Sequence, residues 1–253
     1  GTDDITITVD NAADIAQTIA LDAVTAVNLI LAGGISGTAV SMMNAGGTVA
    51  VTGFTNATTQ DDNVAVTITG DNPAVAQLNA IAALTTGKVT ASISGNIADL
   101  VALTTAGTDD ITITVDNVAD MSQVVALDAV TAVNLILTGG VSDTAANYST
   151  IAGVEQAGLA AIRLQDNDAA ITVTSAVNML QFVDLNAATS ADINLAGGIS
   201  DLANNLMNAA GDTANARFTN ARTQDDNVAV TITGANPAVA QLNAIAALTT
   251  GKV

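Results

Sequence analysis

Apolar and polar positions alternate with period two in a series of short stretches. Ile5, Ile7 and Val9 fall on one side, Thr6 and Thr8 on the other. The same alternation sets Val64, Val66 and Ile68 against Thr67 and Thr69, and Ile111, Ile113 and Val115 against Thr112 and Thr114. It also sets Ile171 and Val173 against Thr172 and Thr174. Each stretch predicts a strand with one buried face and one face of Thr. Between them the period lengthens. Val75, Leu78, Ile81 and Ala82 have helical spacing. Asn72 and Asn236 read as N-caps with Pro73 and Pro237 at the first helical position, the first of these helices running to Leu84. Asn11, Asn96 and Asn117 read as caps of sister helices, and Gly87 and Gly251 as helix-closing residues.

These units repeat. Thr59–Val89 returns at Thr223–Val253 with one change, Asp71 becoming Ala235. The stretch 1–31 matches 107–137, and 31–89 matches 195–253. Strand-like starts at Ile5, Val27, Val64, Val89, Ile111, Val133, Ile171, Ile193 and Val228 lie mostly about 22 residues apart. Three intervals are longer, and each opens on Gly-Gly (Gly33-Gly34, Gly139-Gly140, Gly197-Gly198), where an additional strand or an inserted loop fits.

A strand, a short helix and a return in about 22 residues is a coil of an α/β solenoid. The expected fold is therefore stacked strand–short-helix coils, forming a parallel β-sheet backed by short helices. The expected organisation is one repetitive solenoid over residues 1–253. Its last residues, Lys252-Val253, copy a point where Lys88-Val89 runs on into further repeat, so it reads as an excerpt of a longer array or a unit stacking end to end.

Composition sharpens this picture. The apolar stock is 49% of the chain but includes only three Phe, one Tyr and no Trp, which suits narrow, regular layers. Acidic residues outnumber basic ones 24 to 5, for a net charge of −19. Nucleic acid is thereby a poor partner, since binding needs a basic footprint. No stretch is long and apolar enough for membrane insertion. Without Cys or His there is no disulfide, no Cys/His zinc site and no imidazole base.

Two features carry candidate chemistry. Acidic turns precede the strands at Asp3-Asp4, Asp61-Asp62, Asp109-Asp110, Asp166-Asn167-Asp168 and Asp225-Asp226. Stacking would gather their oxygens, and the cation such ligands suit is Ca²⁺. Asp and Asn are also ordinary turn formers. The Thr-x-Thr pairs (Thr6/Thr8, Thr67/Thr69, Thr112/Thr114, Thr172/Thr174, Thr231/Thr233) would stack into a flat grid, spaced about 4.8 Å across strands and about 6.7 Å along them. Such a grid resembles the ice-binding face of insect antifreeze solenoids, although Thr also simply suits an exposed strand. Ile30 and Ile136 fall in the outward register and interrupt it.

The expectation is against an enzyme. A catalytic site breaks repeat symmetry, and these carboxylates follow it. The Gly-Gly-Ile/Val-Ser motif lacks the spacing of either phosphate-binding fingerprint and reads as a turn. Arg163, Arg217 and Arg222 are expected to pair with acidic neighbours.

Units such as VAQLNAIAALTTGKVTASISGNIADLVALTTA (Val75–Ala106) resemble the repeats of very large, acidic, Cys-free bacterial exoproteins, adhesin-like or surface-layer-like and exported by type I secretion. The resemblance implies an extracellular or cell-surface structural protein. It would form or extend a filament, surface layer or adhesin stalk with copies of itself. The alternative is an ice- or surface-binding solenoid using the Thr face.

Overall fold

The computed structural model describes residues 5–25, 29–70, 72–234 and 236–253. Its strands are β1 (Ile7–Thr8), β2 (Leu29–Ile30), β3 (Ile35–Gly37), β4 (Val66–Ile68), β5 (Val89–Gly95), β6 (Asp110–Val115), β7 (Leu135–Ile136), β8 (Val141–Asp143), β9 (Ile171–Val173), β10 (Ile193–Asn194), β11 (Ile199–Leu202) and β12 (Val230–Thr233). The helices are α1 (Ile15–Asp22), α2 (Ala39–Met42), α3 (Thr52–Gln60), α4 (Val75–Ala82), α5 (Ile97–Leu100), α6 (Met121–Asp128), α7 (Ala145–Tyr148), α8 (Ala157–Gln165), α9 (Met179–Ala188), α10 (Ala203–Leu206), α11 (Ala216–Gln224) and α12 (Val239–Leu248). The chain divides into two compact units, Gly1–Asp116 with Ala126–Ile136, and Asn117–Val125 with Leu137–Val253.

The expected α/β class, with parallel strands and short helices, is what the chain adopts. In the first unit β1 pairs with β2, and β3 through β7 form a five-stranded sheet in sequence order. In the second, β8, β9 and β10 form one sheet and β11 and β12 another. Every pairing between these strands is parallel. Apolar residues stand opposite apolar ones (Ile7 and Leu29, Val66 and Val89, Ile113 and Leu135, Ile171 and Ile193). A shift of one residue would turn each strand's apolar set outward, so the pattern itself pins the register.

The longer intervals are resolved as an additional strand together with two helices. After each Gly-Gly turn comes a short strand (β3, β8, β11), then a four-residue helix (α2, α7, α10). A small antiparallel bridge follows (Met43 with Ala50, Ser149 with Glu155, Met207 with Ala214), then a nine-residue helix (α3, α8, α11). The Gly-Gly motif is a turn, as expected: the Gly34, Gly140 and Gly198 amides donate to Leu31, Leu137 and Leu195 carbonyls at 2.7–2.8 Å. Those three glycines have φ of 71° to 79°, which side chains disfavour.

The aliphatic inner faces make the core, and the few aromatics join it. Phe54, Tyr148, Phe182 and Phe218 are all essentially inaccessible. Phe54, Tyr148 and Phe218 sit on α3, α7 and α11, helices of the longer intervals, and Phe182 sits on α9.

Several expected helix boundaries are corrected. The N-caps of α4 and α12 are Ala74 and Ala238, so Pro73 and Pro237 precede the helices rather than open them, and α4 stops at Ala82. Asn72 instead forms a two-point amide bond to the backbone of Ser94, donating to its carbonyl and accepting from its N–H. The cap amide of α4 is satisfied by Gln77, three residues into the helix. Likewise α1 is capped by Asp14 and not Asn11. Asp120 accepts the Gln123 amide at the start of α6, where Asn117 was expected. Asn96 does stand at the N-cap of α5, without a side-chain bond to the helix. Gly87 and Gly251 do not close helices: a Cβ on either would lie 2.2–2.3 Å from the Asn63 or Asn227 carbonyl oxygen, so they permit close backbone approach.

Candidate functional site

The polar groups that recur with the repeat converge on the joints between successive passes of the chain. The first kind of joint lies where a Gly-Gly turn separates two short strands. Strand β2 pairs with β1 on one side. On the other side the Leu29 amide donates to Gln60 Oε1 at 2.9 Å, and the Leu31 amide to Asp61 Oδ2 at 2.8 Å. Side chains at the end of α3 thus replace a neighbouring strand. The second unit repeats this: the Ile193 amide donates to Gln224 and the Leu195 amide to Asp225. The Leu137 amide donates to Asp166 in the same way. An unpaired strand edge is a site for unwanted association, and a Gln-Asp plug covers it.

The second joint is a buried threonine. The hydroxyls of Thr85, Thr131, Thr189 and Thr249 donate to the Val64, Ile111, Ala169 and Val228 carbonyls at 2.6–2.7 Å. Thr25 makes the same bond to Ile5. The hydroxyls of Thr85, Thr131, Thr189 and Thr249 also accept the amide two residues on, at Gly87, Val133, Ala191 and Gly251. Sequence reasoning did not single out these threonines. Their recurrence ahead of each strand, as in Thr85-Thr86-Gly87, was the available signal.

The expected acidic turns are placed as follows. Asp61 and Asp225 are plugs. Asp109 accepts the Val89 amide and the Ala106 amide on its two oxygens, both at 2.9 Å, and is buried. Asp110 pairs with Lys88 at 2.9 Å. Asp62 and Asp226 are exposed, and it is their backbone carbonyls that accept the Thr86 and Thr250 amides. Asp3 and Asp4 lie outside the described residues. Among the described residues no three acidic side chains come together as a cation cage. Asp166 is titrated upward because burial penalises its charge and Asp168 lies beside it; the Leu137 amide opposes this.

Two carboxylates missed in the sequence do comparable work. Asp143 accepts the Met121 amide with one oxygen and the Thr144 amide and Asn147 side chain with the other. Asp201, at the matching place, takes Met179, Leu202 and Asn205. The first copy has Gly37 and Ser41 there, so the alignment of repeats hides the motif.

The hydroxyl face is present in part. Ser36, Thr67 and Thr90 stand in one row, Ser92 beside Thr112, Ser94 beside Thr114, and Ser200 beside Thr231. Thr6, Thr8, Thr69, Thr174 and Thr233 are exposed, and Thr172 half-buried. Rows end on Ile30, Ile136 and Leu202, opposite Thr8, Thr114 and Thr233, and on Asn194 opposite Thr172.

Of the arginines, Arg163 pairs with Glu155 through two nitrogens at 2.9–3.1 Å, as expected. Arg222 instead donates to the Leu248 carbonyl. Arg217 lines a cleft of about 380 Å³ with Met179, Asp201 and Asn205. A wider groove of about 610 Å³ lies along β9 and β10 beside Gln224 and Asp225. No helix among the described residues is long and apolar enough to cross a membrane. No protein-family model, curated protein or solved structure matches the chain.

Proposed function

We propose that this chain is a structural repeat protein, a stack of α/β solenoid coils that extends a filament, surface layer or adhesin stalk on the outside of a cell. The observation that supports it most directly is that the recurring polar residues are spent on joints between coils. Thr85, Thr131, Thr189 and Thr249 make one bond four times over. A residue kept for chemistry would be needed once; a residue kept for stacking is needed at every coil.

The mechanism is mechanical. Parallel coils lend each other backbone partners, and tension along the stack is shared among many ladder and threonine bonds. The charge of −19 keeps neighbouring stacks apart. Such a body joins to further coils of its own kind, and the reading does not depend on calcium. Electron microscopy of the purified chain, with calcium and then with EDTA, tests it. Regular filaments or sheets in both conditions are expected. Dispersed compact particles in both would overturn self-assembly. Filaments that dissolve in EDTA would assign the acidic turns to a cation.

A further inference from the structure

The three helices that follow the antiparallel bridges differ at their second position. It is Gly53 in α3 and Gly158 in α8, but Arg217 in α11. Both glycines let a neighbouring helix come close. A Cβ on Gly53 would lie 2.5 Å from Ile19 of α1, and one on Gly158 2.4 Å from Met121 of α6. In the third copy a long cation stands where the other two have no side chain.

A cleft of about 380 Å³ lies beside it. Met179 and Leu180 of α9 and Ala216 of α11 give it apolar lining; Asn205, Asn215 and Arg217 give it polar lining. Pockets of about 300–1,000 Å³ are the ones that small molecules fill. The sister cleft beside Gly158 is smaller, about 260 Å³, and no charged residue lines it.

The charge in the third cleft is free. Arg217 is exposed, and its side chain makes no ion pair or hydrogen bond among the described residues. That is a costly position to leave open in a chain with 24 acids and five bases. Asp201 also lines the cleft, but it is buried, and its two oxygens already accept the Met179 and Leu202 amides and the Asn205 side chain at 2.6–2.8 Å. Its charge opposes a dianion in the same space more than a monoanion. A guanidinium matches a carboxylate with two parallel hydrogen bonds.

We propose that this cleft binds a small monocarboxylate with a short aliphatic chain. The carboxylate pairs with Arg217, and the chain lies against Met179, Leu180 and Ala216. A residue needed for stacking recurs in every copy; Arg217 occurs in one of three, as a ligand site requires. The site goes beyond the stacking reading and stands whether or not the chain forms filaments.

The test uses the full chain with ¹³C-methyl-labelled methionine, and hexanoate as the probe. Saturable shifts are expected at the Met179 methyl. The Met121 methyl, in the sister cleft without an arginine, is the internal control and is expected to stay in place. Hexanamide has the same chain without the charge and is expected to bind roughly tenfold more weakly, the usual consequence of losing a charged hydrogen bond. Arg217→Gln, at an exposed position, is expected to keep the fold by circular dichroism and to weaken hexanoate binding by a similar factor. No shift at Met179, equal shifts at Met179 and Met121, equal binding of hexanamide, or undiminished binding by Arg217→Gln would each overturn the site. The hexanamide and Met121 comparisons use the unaltered chain, so they decide the matter even if the variant does not fold.

Discussion

Thr85 and Val64 lie 21 residues apart, and the Thr85 hydroxyl donates to the Val64 carbonyl at 2.6 Å in a buried position. The same oxygen accepts the Gly87 amide at 2.9 Å. One side chain thus joins two successive passes of the chain and also sets the turn into β5. Thr85→Val keeps the shape and strands both partners. The expected loss is about 1–3 kcal/mol, the usual cost of leaving buried polar groups unmade. Thr67→Val, on an exposed strand position, is expected to stay within about 0.5 kcal/mol of wild type. Urea unfolding midpoints compare the two, and equal effects would show that the buried bond contributes nothing specific.

The plug at Asp61 makes a local prediction. Its carboxylate holds the Leu31 amide at 2.8 Å where no strand does. Asp61→Ala frees that amide, and Asp225→Ala frees that of Leu195. Hydrogen exchange at Leu31 and Leu195 is expected to accelerate at least tenfold in the respective variants, because a lost bond of about 1.4 kcal/mol is a factor of ten in a local opening equilibrium. Exchange at Val66, on the next strand, is expected to change little. Uniform acceleration across the unit would mean the plug supports the whole unit rather than one edge.

The acidic groups are expected to titrate in a definite order. Asp120 is held below the usual carboxylate value, first by the Ser122 hydroxyl at 2.6 Å and then by the Gln123 amide. Its stabilising share is present above the unfolded-state value and is lost as pH falls through the lower folded value. Asp166 is raised by burial, so its sign is reversed: the share is present below the unfolded-state value and is lost as pH rises through the folded one. Carboxyl NMR titration should therefore place Asp166 above Asp120. Asp166→Asn keeps an acceptor for the Leu137 amide and removes the half-buried charge. It is expected to raise stability at neutral pH and to do less in acid.

Much of the fold was legible. Period-two alternation located the inner faces of β4, β6 and β9, and the Gly-Gly pairs marked where either a further strand or a loop enters. Helix starts were less legible. Asn72 and Asn117 have a cap's identity, but Asn72 serves the strand β5, and Gln77 and Asp120 do the capping work at α4 and α6. A backbone bond to a residue 22 positions away leaves no local pattern. The acidic turns were legible as recurring positions and not as roles. Whether Asp109 faces a cation or two amides depends on which backbone packs beside it, and that is a property of tertiary neighbours rather than of spacing. The threonine joints were hidden for a related reason: their carbonyl partners lie 20 or 21 residues away, so a buried Thr and an exposed one read alike.

Close stacking also sets what the glycines tolerate. A Cβ on Gly33 would lie 2.1 Å from the Asn11 carbonyl carbon, and on Gly87 2.2 Å from the Asn63 oxygen. Neither obstacle is a flexible side chain, so two passes of backbone must separate. Gly46 faces only Thr48 atoms at 3.8 Å or more. Gly33→Ala and Gly87→Ala are expected to cost about 1–3 kcal/mol each, the range for overpacked sites. Gly46→Ala is expected to be neutral, or stabilising by up to about 1 kcal/mol through the unfolded chain. Thermal unfolding of the three variants decides between this account and one in which the glycines serve only as flexible turns. If flexibility alone mattered, the three substitutions would act alike. If close backbone approach matters, Gly33 and Gly87 fall together and Gly46 stands apart.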